Sequence, residues 1–130
     1  ARREPWVHDA ATLLSIIDVG GASGFVSSHS LATIHYLVAK WHDREQANRS
    51  VADLLRLVRV VPLDHEAVLQ ALALGWPDFE DALQSVWALI AAADHLVSRD
   101  PEDFRTSAVP TLSPSELVAL IRARDGDLSP

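Results

Sequence analysis

The sequence predicts an α/β fold: a three-layer α/β/α sandwich around a mostly parallel central sheet. Short apolar segments recur along the chain, and each is separated from the next by a segment with helical spacing of apolar residues. Strands that alternate with helices are joined by crossovers, which make the strands parallel and cover both faces of the sheet. In such sheets, ligands bind at the carboxyl ends of the strands.

The first part of the chain predicts two helices around a short strand. Apolar spacing favours a helix that begins at Pro5 and is ended by Gly20 and Gly21. Segment 24–27 (GFVS) is predicted to be a short buried strand. Ser28 or Ser30 is expected to cap the next helix. Its apolar face is expected to consist of Leu31, Ile34, Leu37, Val38 and Trp41.

The middle of the chain predicts a helix, a strand and a second helix. Asp43 is placed to cap a helix through Val51, Leu54, Leu55 and Val58. Segment 58–61 (VRVV) is β-branched and ends at Pro62, which is typical of a strand. Asp64 then caps a helix that runs to Leu74 and ends at Gly75.

The last part of the chain predicts two helices and two strands. Asp78 begins a long helix through Ala93, and segment 95–98 (HLVS) is the third strand. Segment 109–112 is expected at a sheet edge, because Pro110 has no amide hydrogen to donate. Ser113 to Glu116 form a capping box that opens a helix to about Arg122. We therefore expect one domain over residues 1–124 and a flexible tail over residues 125–130.

Composition excludes several classes of function. The chain has 130 residues, a net charge of −7 and no cysteine, which excludes a disulfide framework, a zinc site with cysteine ligands and thiol catalysis. No apolar run approaches the roughly 20 residues of a membrane span, so no membrane association is expected and a cytoplasmic location is predicted. The acidic balance argues against nucleic-acid binding through a basic surface, but not against a site where metal ions neutralise the charge.

Two acidic segments are candidates for chemistry. Asp78, Glu80 and Asp81 lie where the long helix begins, and Asp100 directly follows the third strand. Each segment has two interpretations: carboxylates that bind a divalent cation, or carboxylates that cap a helix or turn. Because the helix and strand form a tight α–β hairpin, Asp81 and Asp100 are expected at the same end of the sheet. Carboxylates that converge there repel each other unless a cation or a shared proton lies between them.

Other polar and aromatic residues are less specific. Only His35 and His42 share a helical face, and no zinc-type spacing is present, so surface or interhelix histidines are expected. The four tryptophans are expected to fill the core and interfaces. Arg99 and Arg105 flank the acidic segments, where they are placed either to bind a phosphate or to form solvated ion pairs with Glu102 or Asp103.

Three segments of the chain resemble PIN domains, especially the compact bacterial branch near the VapC-type toxins. They are residues 24–37 (GFVSSHSLATIHYL), 76–84 (WPDFEDALQ) and 94–104 (DHLVSRDPEDF). The resemblance implies a metal-dependent endoribonuclease with Mg²⁺ or Mn²⁺ held by acids at the carboxyl edge of the sheet. In that alignment, Asp81 matches the acid at the start of the long helix and Asp100 matches the acid after the following strand.

The same resemblance assigns further residues and one departure. Ser98 matches a hydroxyl that helps to orient the last acid, and Arg99 is expected to contact phosphate. Thr33 stands where the family has a glutamate, so it is expected on the substrate side of the site, with Glu80 as an auxiliary metal ligand. The family's first acid ends an N-terminal strand, which is expected to precede Ala1.

Two functions therefore remain open at this stage. One is an RNA-cleaving enzyme, with the toxin of a toxin–antitoxin pair as a specific role, an antitoxin protein as partner and a homodimer as the expected assembly. The other is a non-catalytic module, binding RNA or protein, that keeps the fold without a complete acidic site. Capping roles for Asp81 and Asp100 alone are a third interpretation.

Overall fold

The computed structural model describes residues 4–125. Its elements in chain order are α1 (Glu4–Asp18), β1 (Gly24–Ser27), α2 (Ser28–Trp41), α3 (Arg44–Leu54), β2 (Val58–Val61), α4 (His65–Leu74), α5 (Phe79–Ile90), β3 (Leu96–Val97), a 3₁₀ turn (Pro101–Phe104), β4 (Thr111–Leu112) and α6 (Pro114–Arg124). The predicted order of helices and strands is confirmed, and β1 and β2 have the predicted bounds. The predicted tail beyond Asp125 lies outside the described residues.

Side-chain caps define several helix starts. The carboxylates of Asp43 and Asp64 accept hydrogen bonds from backbone amides in the first turns of α3 and α4, as predicted. The capping box at Ser113 is also present, and Gly75 ends α4 in the left-handed conformation. One predicted cap is wrong: neither Ser28 nor Ser30 caps α2. Ser27, the last residue of β1, has extended backbone angles, and its Oγ accepts the hydrogen bond from the Ser30 amide at 3.0 Å.

Two helices end earlier than their apolar patterns predicted. α5 ends at Ile90, three residues before Ala93, because the chain turns through Ala92, whose φ is +56°. α3 ends at Leu54, since residues 55–57 form a turn that leads into β2. Local turn geometry therefore ends both helices before their apolar patterns stop.

The strands form two separate parallel pairs in the described part of the chain. β1 pairs with β2 from Gly24–Val58 to Ser27–Val61, and β3 pairs with β4 through Leu96–Thr111 and Val97–Leu112. Parallel pairing is therefore confirmed, whereas one continuous central sheet is not observed. β1 and β3 line the same cavity, which has a volume of about 290 Å³. This cavity separates the two pairs.

Helix α5 lies at the centre of the core. Trp87 and Ala88 belong to one buried cluster with Leu96, Phe104 and Val109, and the preceding turns of α5 form a second cluster with α4. The indole Nε1–H of Trp87 donates a hydrogen bond of 2.9 Å to the backbone carbonyl of Val61. This bond links the carboxyl-terminal part of α5 to the end of β2.

The predicted apolar face of α2 is not buried. No side chain of α2 is buried, and Trp41 is 73% exposed. α2 packs mainly against α3 and the four-residue strand β1, which are too small to cover its apolar residues. The interpretation of all tryptophans as core filler therefore fails for Trp41. It holds for the buried Trp87, Trp76 is half-buried, and the Trp6 side chain lies outside the description.

Within residues 4–125, no helix combines the length and the apolar character that a membrane crossing requires.

Candidate acidic site

Asp78 and Asp81 occupy different positions in the first turn of α5. Asp78 is the N-cap, and its carboxylate Oδ1 accepts a hydrogen bond of 3.0 Å from the Asp81 backbone amide. The capping interpretation is therefore confirmed for Asp78. Asp81 lies three residues into the turn and its carboxylate makes no capping bond, so this half-buried group is available for other contacts.

Asp100 is positioned by the polypeptide that leaves β3. Its backbone amide donates a hydrogen bond of 3.0 Å to Ser98 Oγ. Asp100 precedes the 3₁₀ turn, but its side chain forms no capping hydrogen bond there. Ser98 therefore fixes the backbone at Asp100, whereas the Asp100 carboxylate stays exposed and uncommitted to the turn.

The start of α5 and the 3₁₀ turn enclose a cleft. The cleft has a volume of about 260 Å³ and is lined by Trp76, Pro77, Asp78, Asp81, Glu102, Asp103, Arg105 and Thr106. Along the chain, residues 76–81 lie at the start of the α5–β3 hairpin and residues 102–106 follow its end. The structure thus brings acids from both segments together, although Asp100 itself does not line this cleft.

The pKa of Asp81 is affected by its burial and by the acids around it. It is raised above the ordinary value of 3.8, first by burial and then by repulsion from Asp78, Asp103, Glu80 and Asp100, in that order. Carboxylates from both segments therefore act on one half-buried group. A hard divalent cation or a proton would relieve this repulsion.

Glu80, predicted to be an auxiliary metal ligand, has its carboxylate in contact with a histidine of α2. Its Oε2 lies 2.6 Å from Nε2 of His29, at the start of α2. Both side chains are substantially exposed, so the pair is a surface link between α2 and α5. Thr33, one turn further along α2, uses its Oγ1–H to donate a hydrogen bond of 3.2 Å to the His29 carbonyl.

A second histidine contact joins two helices. His35 Nε2 lies 2.7 Å from Asn48 Oδ1 and links α2 to α3, which confirms the interhelix interpretation for His35. Among residues 4–125, no group of three or more histidine, aspartate or glutamate side chains is arranged to hold a metal ion.

Two residues that flank the predicted site also line the cleft. Asp103, predicted as an ion-pair partner of an arginine, lines the cleft and repels Asp81 more strongly than Asp100 does. Arg105 lines the same cleft, whereas Arg99 does not. The Asp-Pro step at residues 100–101 is the sequence signal for this arrangement. A turn that begins there brings residues 103 and 105 back toward the start of α5.

Comparison with known proteins gives one match. The model of the family described as PIN domain matches residues 1–102, which include Asp81 and Asp100. No curated protein and no solved structure matches the chain.

Proposed function

We propose that this chain, which belongs to the PIN-domain family, is a Mg²⁺- or Mn²⁺-dependent endoribonuclease whose metal is held by Asp81 and Asp100. The observation that carries the proposal is the convergence of carboxylates from the start of α5 and from the segment after β3. PIN domains are typically nucleases, and a phosphodiester hydrolase needs charge compensation at the bond it cleaves.

The side chains present suit a hard cation. Asp81 and Asp100 offer only carboxylate oxygens, the donors that Mg²⁺ and Mn²⁺ prefer, and Mg²⁺ normally keeps several water ligands beside one or two carboxylates. The raised pKa of Asp81 reflects negative charge that a cation would offset. Bound there, the cation would supply an activated water and stabilise the charge that develops on the phosphate.

The residues of the chain have distinct roles in this proposal. Asp81 is a ligand presented by the first turn of α5, and the Asp78 cap holds that turn in place. Asp100 is the second ligand, and Ser98 fixes its backbone. Arg99, next to Asp100, is proposed to contact phosphate, and Thr33 to lie on the substrate side.

The cavity between β1 and β3 supports a further part of the proposal: an additional strand completes the sheet. Among residues 4–125, each of these strands is paired on one side only, and both line the cavity. Unpaired backbone groups at a strand edge favour the addition of another strand. A strand inserted there would join the two pairs into the continuous central sheet of a three-layer sandwich, and an acid at its end would add a third ligand.

A narrower proposal concerns biological role. The likeness of segments 76–84 and 94–104 to VapC-type toxins favours a cytoplasmic toxin with an antitoxin partner and a homodimeric assembly. An acidic cleft of this kind would accept a basic side chain from the antitoxin. Purification with and without the neighbouring gene product would test the pairing.

The function is tested by RNA cleavage in Mn²⁺ and Mg²⁺, with EDTA as the metal-free reference. Asp81→Asn and Asp100→Asn should each abolish metal-dependent cleavage, while Asp53→Asn, at an exposed acid on α3, should not. Undiminished cleavage by both site variants would refute the assignment.

One observation favours a second candidate function, a non-catalytic module that binds RNA or protein. The described residues contain no three-membered acidic or histidine cluster, and Thr33 replaces the glutamate expected on α2. Calorimetry with Mn²⁺ separates the two candidates. Binding that is lost in Asp81→Asn supports the enzyme, whereas an absence of binding supports the module.

A further inference from the structure

Helix α4 is apolar on most of its surface, yet it buries very little of it. Residues 67–77 contain no charged side chain. Within α4, only the small residues Ala67 and Ala71 are buried, and they pack in one cluster with residues of α5. The larger side chains remain accessible: Leu72 is 61% exposed and Leu69 is 47% exposed. Because a helix that is apolar all round is normally buried, a further element is expected to cover this one.

The exposed apolar surface continues from α4 onto α5. The short segment 75–78 joins the two helices, which is typical of antiparallel neighbours. In an antiparallel pair, the residues that directly follow the contact positions lie on the same side of both helices. Val68 and Leu72 occupy such positions on α4, and the half-buried Leu83 does so on α5. Phe79 and Ile90 share the helical face of Leu83 and are exposed. We call this surface the α4–α5 face; it consists of Val68, Leu69, Leu72, Phe79, Leu83 and Ile90.

A second exposed surface, on α2, has a different character. Lys40 lies over the ring of Trp41, with its Nζ 5.6 Å from the ring centroid. This cation already covers part of the exposed indole. In a symmetric contact between two copies, the two lysines would also face each other and repel. The α4–α5 face carries no charge, so it can pack against itself without this repulsion.

Charge favours a second copy of this chain as the occupant of the α4–α5 face. The chain has a net charge of −7, so contact between two copies is least opposed where the surface is uncharged. If the two α4 helices run antiparallel about a two-fold axis, the acidic start of each helix, with Asp64 and Glu66, lies beside the uncharged end of the other. A basic partner segment would instead be attracted to the acidic cleft, because nothing on the α4–α5 face attracts charge.

We propose that the α4–α5 face is the contact surface of a two-fold homodimer in which α4 of one copy packs against α4 of the other. The inference rests on the proposed function only for the expectation of a homodimer, and it does not require catalysis. Exposed apolar patches of about 300–600 Å² mark interaction sites, whereas a standard interface covers about 800 Å² on each partner. The α4–α5 face belongs to the smaller class, so the dimer should dissociate at micromolar concentrations.

The test is sedimentation equilibrium of the full chain over a series of micromolar concentrations. The parent chain should follow a monomer–dimer equilibrium. Leu72→Glu and Leu69→Glu should each raise the dissociation constant by roughly tenfold or more, because the new charge would be buried in the contact. Leu37→Glu on α2 and Leu120→Glu on α6 are matched controls at similarly exposed leucines, and they should leave the equilibrium unchanged.

A mixture of charge variants tests the two-fold contact itself. Leu72→Glu and Leu72→Lys should each be monomeric alone, because like charges from the two copies would meet. Mixed in equal amounts, they should form a dimer again, since opposite charges then meet across the axis. A parent chain that stays monomeric, a control variant that weakens the dimer as much as Leu72→Glu does, or a mixture that stays monomeric would overturn the proposal. Circular dichroism on each variant checks that the fold is retained.

Failure of this proposal is distinguishable from failure of the nuclease assignment. Asp81 is not part of the α4–α5 face, so Asp81→Asn should dimerise like the parent chain while it loses metal-dependent cleavage. If that variant loses cleavage and the parent chain is monomeric at every concentration, the interface is wrong and the nuclease stands. If the variant still cleaves and the parent chain dimerises as described, the nuclease assignment is wrong and the interface stands.

Discussion

Replacing Asp81 by asparagine should stabilise the metal-free protein while it removes metal-dependent activity. The start of a helix favours a negative charge at this position by about 0.3–1 kcal/mol. Four other carboxylates repel the ionised Asp81, and its burial also disfavours the negative charge. If each repulsion costs about 0.2–0.5 kcal/mol, as for like charges on adjacent helical turns, the sum is about 1–2 kcal/mol.

The net expectation is a gain of about 0.5–1 kcal/mol in the free energy of unfolding at pH 7, or about 2–4 °C in Tm. Its pH dependence follows from the raised pKa. The folded state holds the Asp81 proton more tightly than the unfolded state, so the cost of ionising Asp81 is full above its folded pKa. That cost disappears below the ordinary value of 3.8. The advantage of Asp81→Asn should therefore vanish as the pH falls below this value.

Added Mn²⁺ should reverse the order of stability. At 100 times its dissociation constant, a ligand stabilises the folded state by about 2.7 kcal/mol, and only the parent chain should gain this. Thermal unfolding in EDTA and in Mn²⁺ measures both effects. The reasoning fails if Asp81→Asn unfolds more easily than the parent chain in EDTA, or if Mn²⁺ raises both Tm values equally.

Glu116→Gln is the matched control for charge removal. Glu116 occupies the same position in the first turn of α6, where its Oε1 accepts a hydrogen bond of 2.8 Å from the Ser113 amide. Glutamine keeps an acceptor there but loses the favourable charge, so stability should fall by about 0.3–1 kcal/mol. A rise in both variants would show only that a chain with a net charge of −7 benefits from losing any acid.

Three further variants test the surroundings of the site. Glu80→Gln should retain RNA cleavage and lose less than about 1 kcal/mol in urea unfolding, because Glu80 is occupied by the exposed pair with His29; a tenfold loss of cleavage would instead make Glu80 a ligand. Gly24→Ala should destabilise by about 1–3 kcal/mol, since the new Cβ would lie 2.9 Å from Cγ1 of the buried Val58; an unchanged urea midpoint would contradict this. Trp87→Phe should lower the free energy of unfolding by about 1–3 kcal/mol, because a carbonyl on β2 loses its hydrogen-bond donor. Equal urea midpoints for the variant and the parent chain would show that water replaces the indole.

Local signals in the sequence predicted most element boundaries. The caps at Asp43, Asp64 and Ser113 are recognisable because a short polar side chain must precede each helix to satisfy its free amides. The exposure of Trp41 was not predictable in this way. Periodicity shows which residues share a face, but whether that face is covered depends on how many elements pack on it. The main neighbours of α2 are α3 and the short strand β1.

The same difference between local signals and long-range packing applies to the candidate site. Asp100 is close enough to contribute to the raised pKa of Asp81, an effect that the topology of one short hairpin is sufficient to predict. The pairing of Glu80 with His29 joins positions 51 residues apart and depends on how α2 packs beside α5. The position of Asp103 in the cleft was not predictable, because it depends on the 3₁₀ turn, which the sequence indicates only through Pro101.

Completion of the sheet and completion of the metal site are expected to be one coupled process. Ser27 and Ser98, at the carboxyl ends of β1 and β3, both line the cavity between the strand pairs, and Ser98 also fixes the backbone of Asp100. A strand inserted parallel to β1 would therefore end close to the acids that the metal requires. If that strand ends in an acid, its insertion raises metal affinity, and metal binding must then favour strand insertion by the same factor. If a strand is inserted there, hydrogen exchange at β1 and β3 should slow when Mn²⁺ is added, and should respond far less in Asp81→Asn.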